Sequence, residues 1–148
     1  MERSLNKILE ASFKKNWNSP ALTDFKGITL YYRDVARRIE KLHIIFNTCG
    51  VQKGDKIAIC SRNQANWGVV FLACITYGAV PVPILHEFKP GNVHHIVNHS
   101  DSRVLFVGDT QAPHPKPQAM ALIGPVMGPA PAIEEKWWPK RTGALAGT

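Results

Sequence analysis

From Asn63 to His86 the chain carries no Asp, Glu, Lys or Arg. A charge-free run of that length spans a bilayer if it is one helix. It does not read as one helix. It opens with Asn63, Gln64 and Asn66, and Gly78, Pro81 and Pro83 interrupt it. Proline removes a backbone donor and clashes with the preceding turn, so a helix must stop before Pro81. Residues 66–77 therefore read as a helix that is apolar nearly all round and closed by Gly78, and residues 80–85 as a strand. An uncharged helix that turns into an uncharged strand needs protein on every side. That places the run inside an α/β core, and no transmembrane segment is predicted.

The flanking sequence repeats the pattern. Val51 to Lys56 reads as a turn feeding the apolar run Ile57 to Cys60. Pro90-Gly91 leads into a short helix over 92–98, and Arg103 to Val107 is apolar after its arginine. Strands separated by helices of about ten residues are the signature of parallel βαβ units. Continuous apolar strands, rather than alternating ones, fit a sheet covered on both faces. Pro81 and Pro83 each delete a ladder donor, which assigns their strand to an edge or makes it short.

Upstream, Leu5, Ile8, Leu9 and Phe13 share one face of a helix over 4–15. Ala21 to Phe25 and Ile28 to Tyr31 read as a small hairpin around Lys26-Gly27. From Tyr32 the period turns helical: Val35, Ile39, Leu42, Phe46 and Cys49 recur every three or four residues. Asp34 lies in the first turn, where an acid suits the helix dipole, and Gly50 follows the last apolar position. The expected fold is α/β: a parallel βαβαβ core, helices on both faces, and a small N-terminal β-hairpin.

Composition divides the chain at about residue 110. Residues 111–148 hold seven of its eleven prolines, and no period of 3.6 or 2.0 survives there. Gly128-Pro129-Ala130-Pro131-Ala132 sustains neither helix nor sheet. Two units are expected: 1–109, a partial subdomain, and 110–148, a Pro/Ala/Gly-rich tail, disordered or foreign to the first. Trp137-Trp138 is the tail's only large apolar feature.

The formal charge of +7 favours loose attraction to anions, but the basic residues form no long run, and their densest groups are the pairs Lys14-Lys15, Arg37-Arg38 and Lys140-Arg141. Phe13, Phe46 and Phe71 fall on core faces, so no nucleic-acid surface is expected. Cys49, Cys60 and Cys74 are odd in number and lack CxxC spacing. They read as buried thiols in a reducing, cytoplasmic compartment.

Candidate chemistry is sparse. His95 and His99 have metal-chelating spacing, with His94 beside them, yet no acidic residue or third ligand accompanies them. Neither GxxxxGK[ST] nor GxGxxG occurs. Pro90-Gly91-Asn92 offers only the free N–H groups of any helix start. Ser61, Asp101 and a histidine could be drawn as a triad, but no GxSxG elbow supports it. No catalytic, cofactor-binding or metal residue is assigned.

Four phrases then occur in order. They are Ile28-Thr29-Leu30-Tyr31-Tyr32-Arg33-Asp34-Val35, Gly50-Val51-Gln52-Lys53-Gly54-Asp55-Lys56-Ile57-Ala58-Ile59, Asn63 with Trp67 and Gly78-Ala79-Val80-Pro81-Val82-Pro83, and Val97-Asn98-His99-Ser100-Asp101-Ser102-Arg103-Val104. Together they resemble the N-terminal segment of the AMP-forming acyl-CoA synthetases, over residues 4–109. Asn98-His99-Ser100 is most similar to the long-chain fatty acid CoA ligases.

The resemblance implies a parent enzyme that couples a carboxylic acid to ATP and then to coenzyme A, with Mg²⁺. It also implies that the phosphate loop, the metal carboxylate and the catalytic lysine lie beyond this segment. The chain is therefore expected to be a truncated portion, inactive alone, self-associating through an exposed sheet edge, with the tail a shifted reading frame or a fusion. The full-length parent could sit at a membrane periphery. The alternative is a non-catalytic α/β binding or interaction module with a basic surface.

Overall fold

A computed structural model of the protein describes residues 4–108 and 120–123. Helix α1 (Leu5–Lys15) precedes a hairpin of β1 (Pro20–Thr23) and β2 (Thr29–Tyr31). Then follow α2 (Tyr32–Thr48), β3 (Lys56–Cys60), α3 (Ala65–Tyr77), β4 (Val80–Ile84), α4 (Pro90–His99), β5 (Val104–Gly108) and β6 (Met120–Ile123).

The main sheet has the order β4-β3-β5-β6. β3 lies parallel to both β4 and β5, with Ala58 opposite Val82 on one side and Leu105 on the other. The parallel α/β core with helices on both faces is as the sequence predicts. The fourth strand is not. β6 runs antiparallel to β5, pairing Leu105 with Ile123 and Gly108 with Met120. It sits in the segment whose prolines and glycines hide any strand period. The remainder of that segment, including Trp137-Trp138, lies outside the described residues.

The period of two divides the strand residues between the faces. Ile57, Ile59, Val104 and Phe106 belong to the large core, with Val35, Ile39 and Phe46 of α2 and Val69, Val70, Ala73 and Cys74 of α3. Phe46 is fully buried, its ring 5.9 Å from Phe106 and 5.3 Å from Tyr77, both edge-on. On the opposite face Ala58, Cys60 and Ile84 meet Val93, Ile96 and Val97 of α4. No residue of α4 is fully buried, so that face is the more thinly covered.

The prolines of β4 are at the free edge of the sheet. Val80 donates its N–H to the Asp55 carbonyl at 2.8 Å, which sets the alternation. The missing donors of Pro81 and Pro83 then point away from β3, where pairing with another chain would otherwise occur.

Two helix ends follow from glycine. Gly50 (φ 69°) and Gly78 (φ 90°) take the left-handed conformation, and the next residues return N–H groups to the Phe46 and Cys74 carbonyls. At the start of α2, the Asp34 carboxylate accepts the Tyr31 N–H at 3.0 Å. Helix α1 departs from expectation. Phe13 is buried against Tyr32, but Leu5 and Ile8 on the same face are about half exposed.

Candidate functional site

In an open parallel sheet, ligands bind beyond the strand carboxyl ends, where successive connections leave in opposite directions. Here β3 leads through α3 to β4 on one side, and β4 leads through α4 to β5 on the other. The place to inspect is therefore the end of β3, the end of β5 and the start of α3.

Ser61 follows β3 and is buried. Its Oγ donates to the Arg62 carbonyl at 3.1 Å and accepts the Gln64 amide at 2.9 Å. Gly108 ends β5 directly against it: a Cβ there would lie 2.1 Å from Ser61 Oγ and 2.7 Å from Ser61 Cβ. The serine hydroxyl is thus committed to local bonds in a packed crevice. At the start of α3 the Ala65 N–H donates to Asp24 Oδ1 at 2.6 Å. The hairpin supplies that carboxylate, and Leu22 packs beside it. A Cβ on Gly68 would lie 3.1 Å from Leu22 Cδ1. The Ser61 hydroxyl and the Ala65 N–H are both bonded within the protein.

The serine–aspartate–histidine arrangement does not assemble. Arg103 donates its N–H to the Lys56 carbonyl, which fixes Asp101 near the amino ends of the strands. Ser61 lies at the carboxyl ends, about 15 Å away along the strand. His95 and His99 stack with centroids 5.8 Å apart on the exposed side of α4. Among the described residues no three His, Cys, Asp or Glu side chains come together as a metal site.

The cysteines are all free and buried. Burial pushes the Cys74 thiol up to about 12 and raises Cys60, so neither supplies a thiolate near neutral pH. Tyr77 is raised by burial first and then by the Asp55 charge, and its hydroxyl donates to the Val51 carbonyl at 3.0 Å.

Sequence reasoning missed His43. It lies between α2 and α3, with Nε2 3.1 Å from the Ala73 carbonyl and 3.0 Å from Thr76 Oγ1. A carbonyl can only accept, so Nε2 carries the proton. Burial drives its pKa down to about 4, partly offset by that bond. Its position among Ile39, Leu42 and Phe46 was the available signal. Asp24 left no such signal, because its partner is 41 positions away.

Comparison with known proteins agrees with the fold. The family model described as AMP-binding enzyme matches residues 9–140. That span continues past the compositional boundary at 110. An acyl-CoA ligase of Aspergillus fumigatus is 28% identical over 112 residues, covering 74% of this chain and 19% of the relative. A long-chain-fatty-acid–CoA ligase of Rattus norvegicus is 29% identical over 111 residues, covering 71% of this chain and 16% of the relative. This chain therefore spans less than a fifth of the length of those relatives.

Among solved structures, the NpsA N-terminal subdomain of Klebsiella oxytoca superposes with a TM-score of 0.65 at 21% identity, covering 75% of this chain and 29% of that one. A benzoate CoA ligase of Burkholderia xenovorans gives 0.64 at 20% identity, covering 70% and 21%. Among the described residues no helix is long and apolar enough to cross a membrane. The chain belongs to the AMP-binding enzyme family, as an N-terminal segment of an adenylate-forming acyl-CoA synthetase.

Proposed function

We propose that this chain is the N-terminal portion of a long-chain fatty acid CoA ligase and serves it as scaffold rather than as catalyst. In that reading the parent joins a carboxylate to AMP with release of pyrophosphate. It then transfers the acyl group to the thiol of coenzyme A with release of AMP. The reading is supported by the family match over residues 9–140 and by the long-chain ligase relative. Its long-chain element also draws on Asn98-His99-Ser100.

The packed crevice supports the scaffold role. Ser61, Gln64 and Gly108 close on one another, and Asp24 fills the start of α3. ATP, Mg²⁺, coenzyme A and the fatty acid are then ligands of the parent, held by residues outside 4–108. A cytoplasmic site of action is part of the same proposal.

Self-association belongs to it too, through apolar surface more than through the strand edge. Val80 in β4 and Leu85 and Phe88 just after it are 45%, 63% and 40% exposed, while Pro81 and Pro83 block ladder pairing at the β4 edge.

The test is expression of the coding sequence with its downstream continuation in each reading frame. A longer product that converts a long-chain fatty acid, ATP and coenzyme A to the thioester supports the proposal. A longer soluble product that activates no carboxylic acid overturns it.

A further inference from the structure

Alone among the described helices, α4 has no buried residue. His95 and His99 are exposed on it and stand one turn apart on the same side. Their ring centroids are 5.8 Å apart and their planes within 14° of parallel. Two adjacent ligands of one transition-metal ion need ring nitrogens about 3 Å apart, since each metal–nitrogen bond is about 2.0–2.1 Å. Turning the two exposed rings about their terminal torsions covers the difference without moving the backbone, as in other helices that ligate metal through histidines at this spacing. His94 is turned from the pair by about 100° around the helix axis.

The surroundings suit a cation. The chain carries +7 overall, yet residues 90–102 contain no Lys or Arg, and Asp101 is their only formal charge. The pair lies in the C-terminal half of α4, where the helix dipole is negative and His99 is the only basic residue of the last turn. The rings are also available. The His43 Nε2 lies between the Ala73 carbonyl and Thr76, whereas the His95 and His99 rings have no hydrogen-bond partner among the described residues.

We propose that His95 and His99 form a two-histidine chelate for a transition-metal dication, with water in its remaining coordination positions, that clips the last turns of α4. Imidazole selects Cu²⁺, Ni²⁺ and Zn²⁺, whereas Mg²⁺ and Ca²⁺ take oxygen ligands, and Cu²⁺ binds most tightly of the first three. The ion is therefore distinct from the Mg²⁺ of the parent reaction, and the site stands whether or not the scaffold reading does. Its consequence is structural. α4 covers the thin second face of the sheet, and joining His95 to His99 holds the turn that carries Ile96 and Val97.

The test is calorimetric titration of the full 148-residue chain with zinc chloride. The wild type should bind Zn²⁺ saturably and give no binding heat with Mg²⁺. His95→Ala and His99→Ala should each weaken Zn²⁺ binding roughly tenfold or more, because a single imidazole is no chelate. His94→Ala leaves the pair intact and should bind as the wild type does. Should either alanine variant fail to fold, His95→Gln or His99→Gln carries the same expectation. Amide hydrogen exchange at residues 96–100 should slow when Zn²⁺ is added to the wild type, and not when it is added to His95→Ala. Absence of saturable binding by the wild type overturns the proposal. So does binding that survives both single variants, or that falls equally in His94→Ala.

Discussion

Asp24 Oδ1 and the Ala65 N–H, 41 positions apart in sequence, meet at 2.6 Å and join the N-terminal hairpin to the main sheet. A helix-capping bond is usually local. This one is long-range, so it stabilises a tertiary contact as well as a helix end. Truncation by Asp24→Ala should cost about 1 kcal/mol, the usual value of a lost cap. For a chain of this size that lowers the melting temperature by roughly 2–4 °C. Asp24→Asn keeps an acceptor oxygen and should cost less. Thermal unfolding followed by circular dichroism compares the two, and an Asp24→Ala variant that melts with the wild type would show that the cap contributes nothing.

Gly108→Ala tests the closure between β3 and β5. The new Cβ would lie 2.1 Å from Ser61 Oγ, closer than any real contact. Overpacking of this kind costs about 1–3 kcal/mol. Pairing it with Ser61→Gly removes both atoms of the clash and should restore part of the loss. Denaturant unfolding of the single and double variants measures the coupling, and strict additivity would place the crowding elsewhere.

His43 makes stability depend on pH. Its folded pKa, about 4, lies below the unfolded value near 6.5. Below pH 6.5 the unfolded chain takes up the proton and the folded chain does not. Stability is therefore fully present above pH 6.5 and falls as pH drops toward 4. Between pH 7.5 and 5 the loss from this residue alone should be about 2 kcal/mol. His43→Leu should flatten that part of the profile. Urea unfolding at the two pH values checks it, and an unchanged slope in the variant would exclude His43 as the cause.

Pro81 and Pro83 should protect the β4 edge. Replacing both with Val or Thr restores two outward donors and raises strand propensity. The double variant should form larger species than the wild type at equal concentration, read by light scattering. Equal scattering would mean that α4 and the loop before it already cover the edge.

The sequence carried most of the body because its signals are local. The charge-free run 63–86, broken at Gly78 and Pro81, becomes α3 and β4. The apolar period of Val35, Ile39 and Phe46 becomes the buried face of α2. What escaped is long-range or compositionally masked. β6 has four residues among prolines and glycines, and its strand character comes from the β5 edge beside it. Ser61 was visible as a serine after a strand, but the approach of Gly108 that commits it depends on the parallel register of β3 and β5. Asp24 falls inside the run Ala21 to Phe25 that reads as a strand, whereas β1 ends at Thr23 and the folded hairpin brings Asp24 to α3.

The scaffold account is tested most directly by ATP–pyrophosphate exchange with the purified 148-residue chain, Mg²⁺ and a long-chain fatty acid. The account predicts exchange no faster than in buffer. Exchange that depends on the fatty acid, with acyl-adenylate recovered from the mixture, would contradict it.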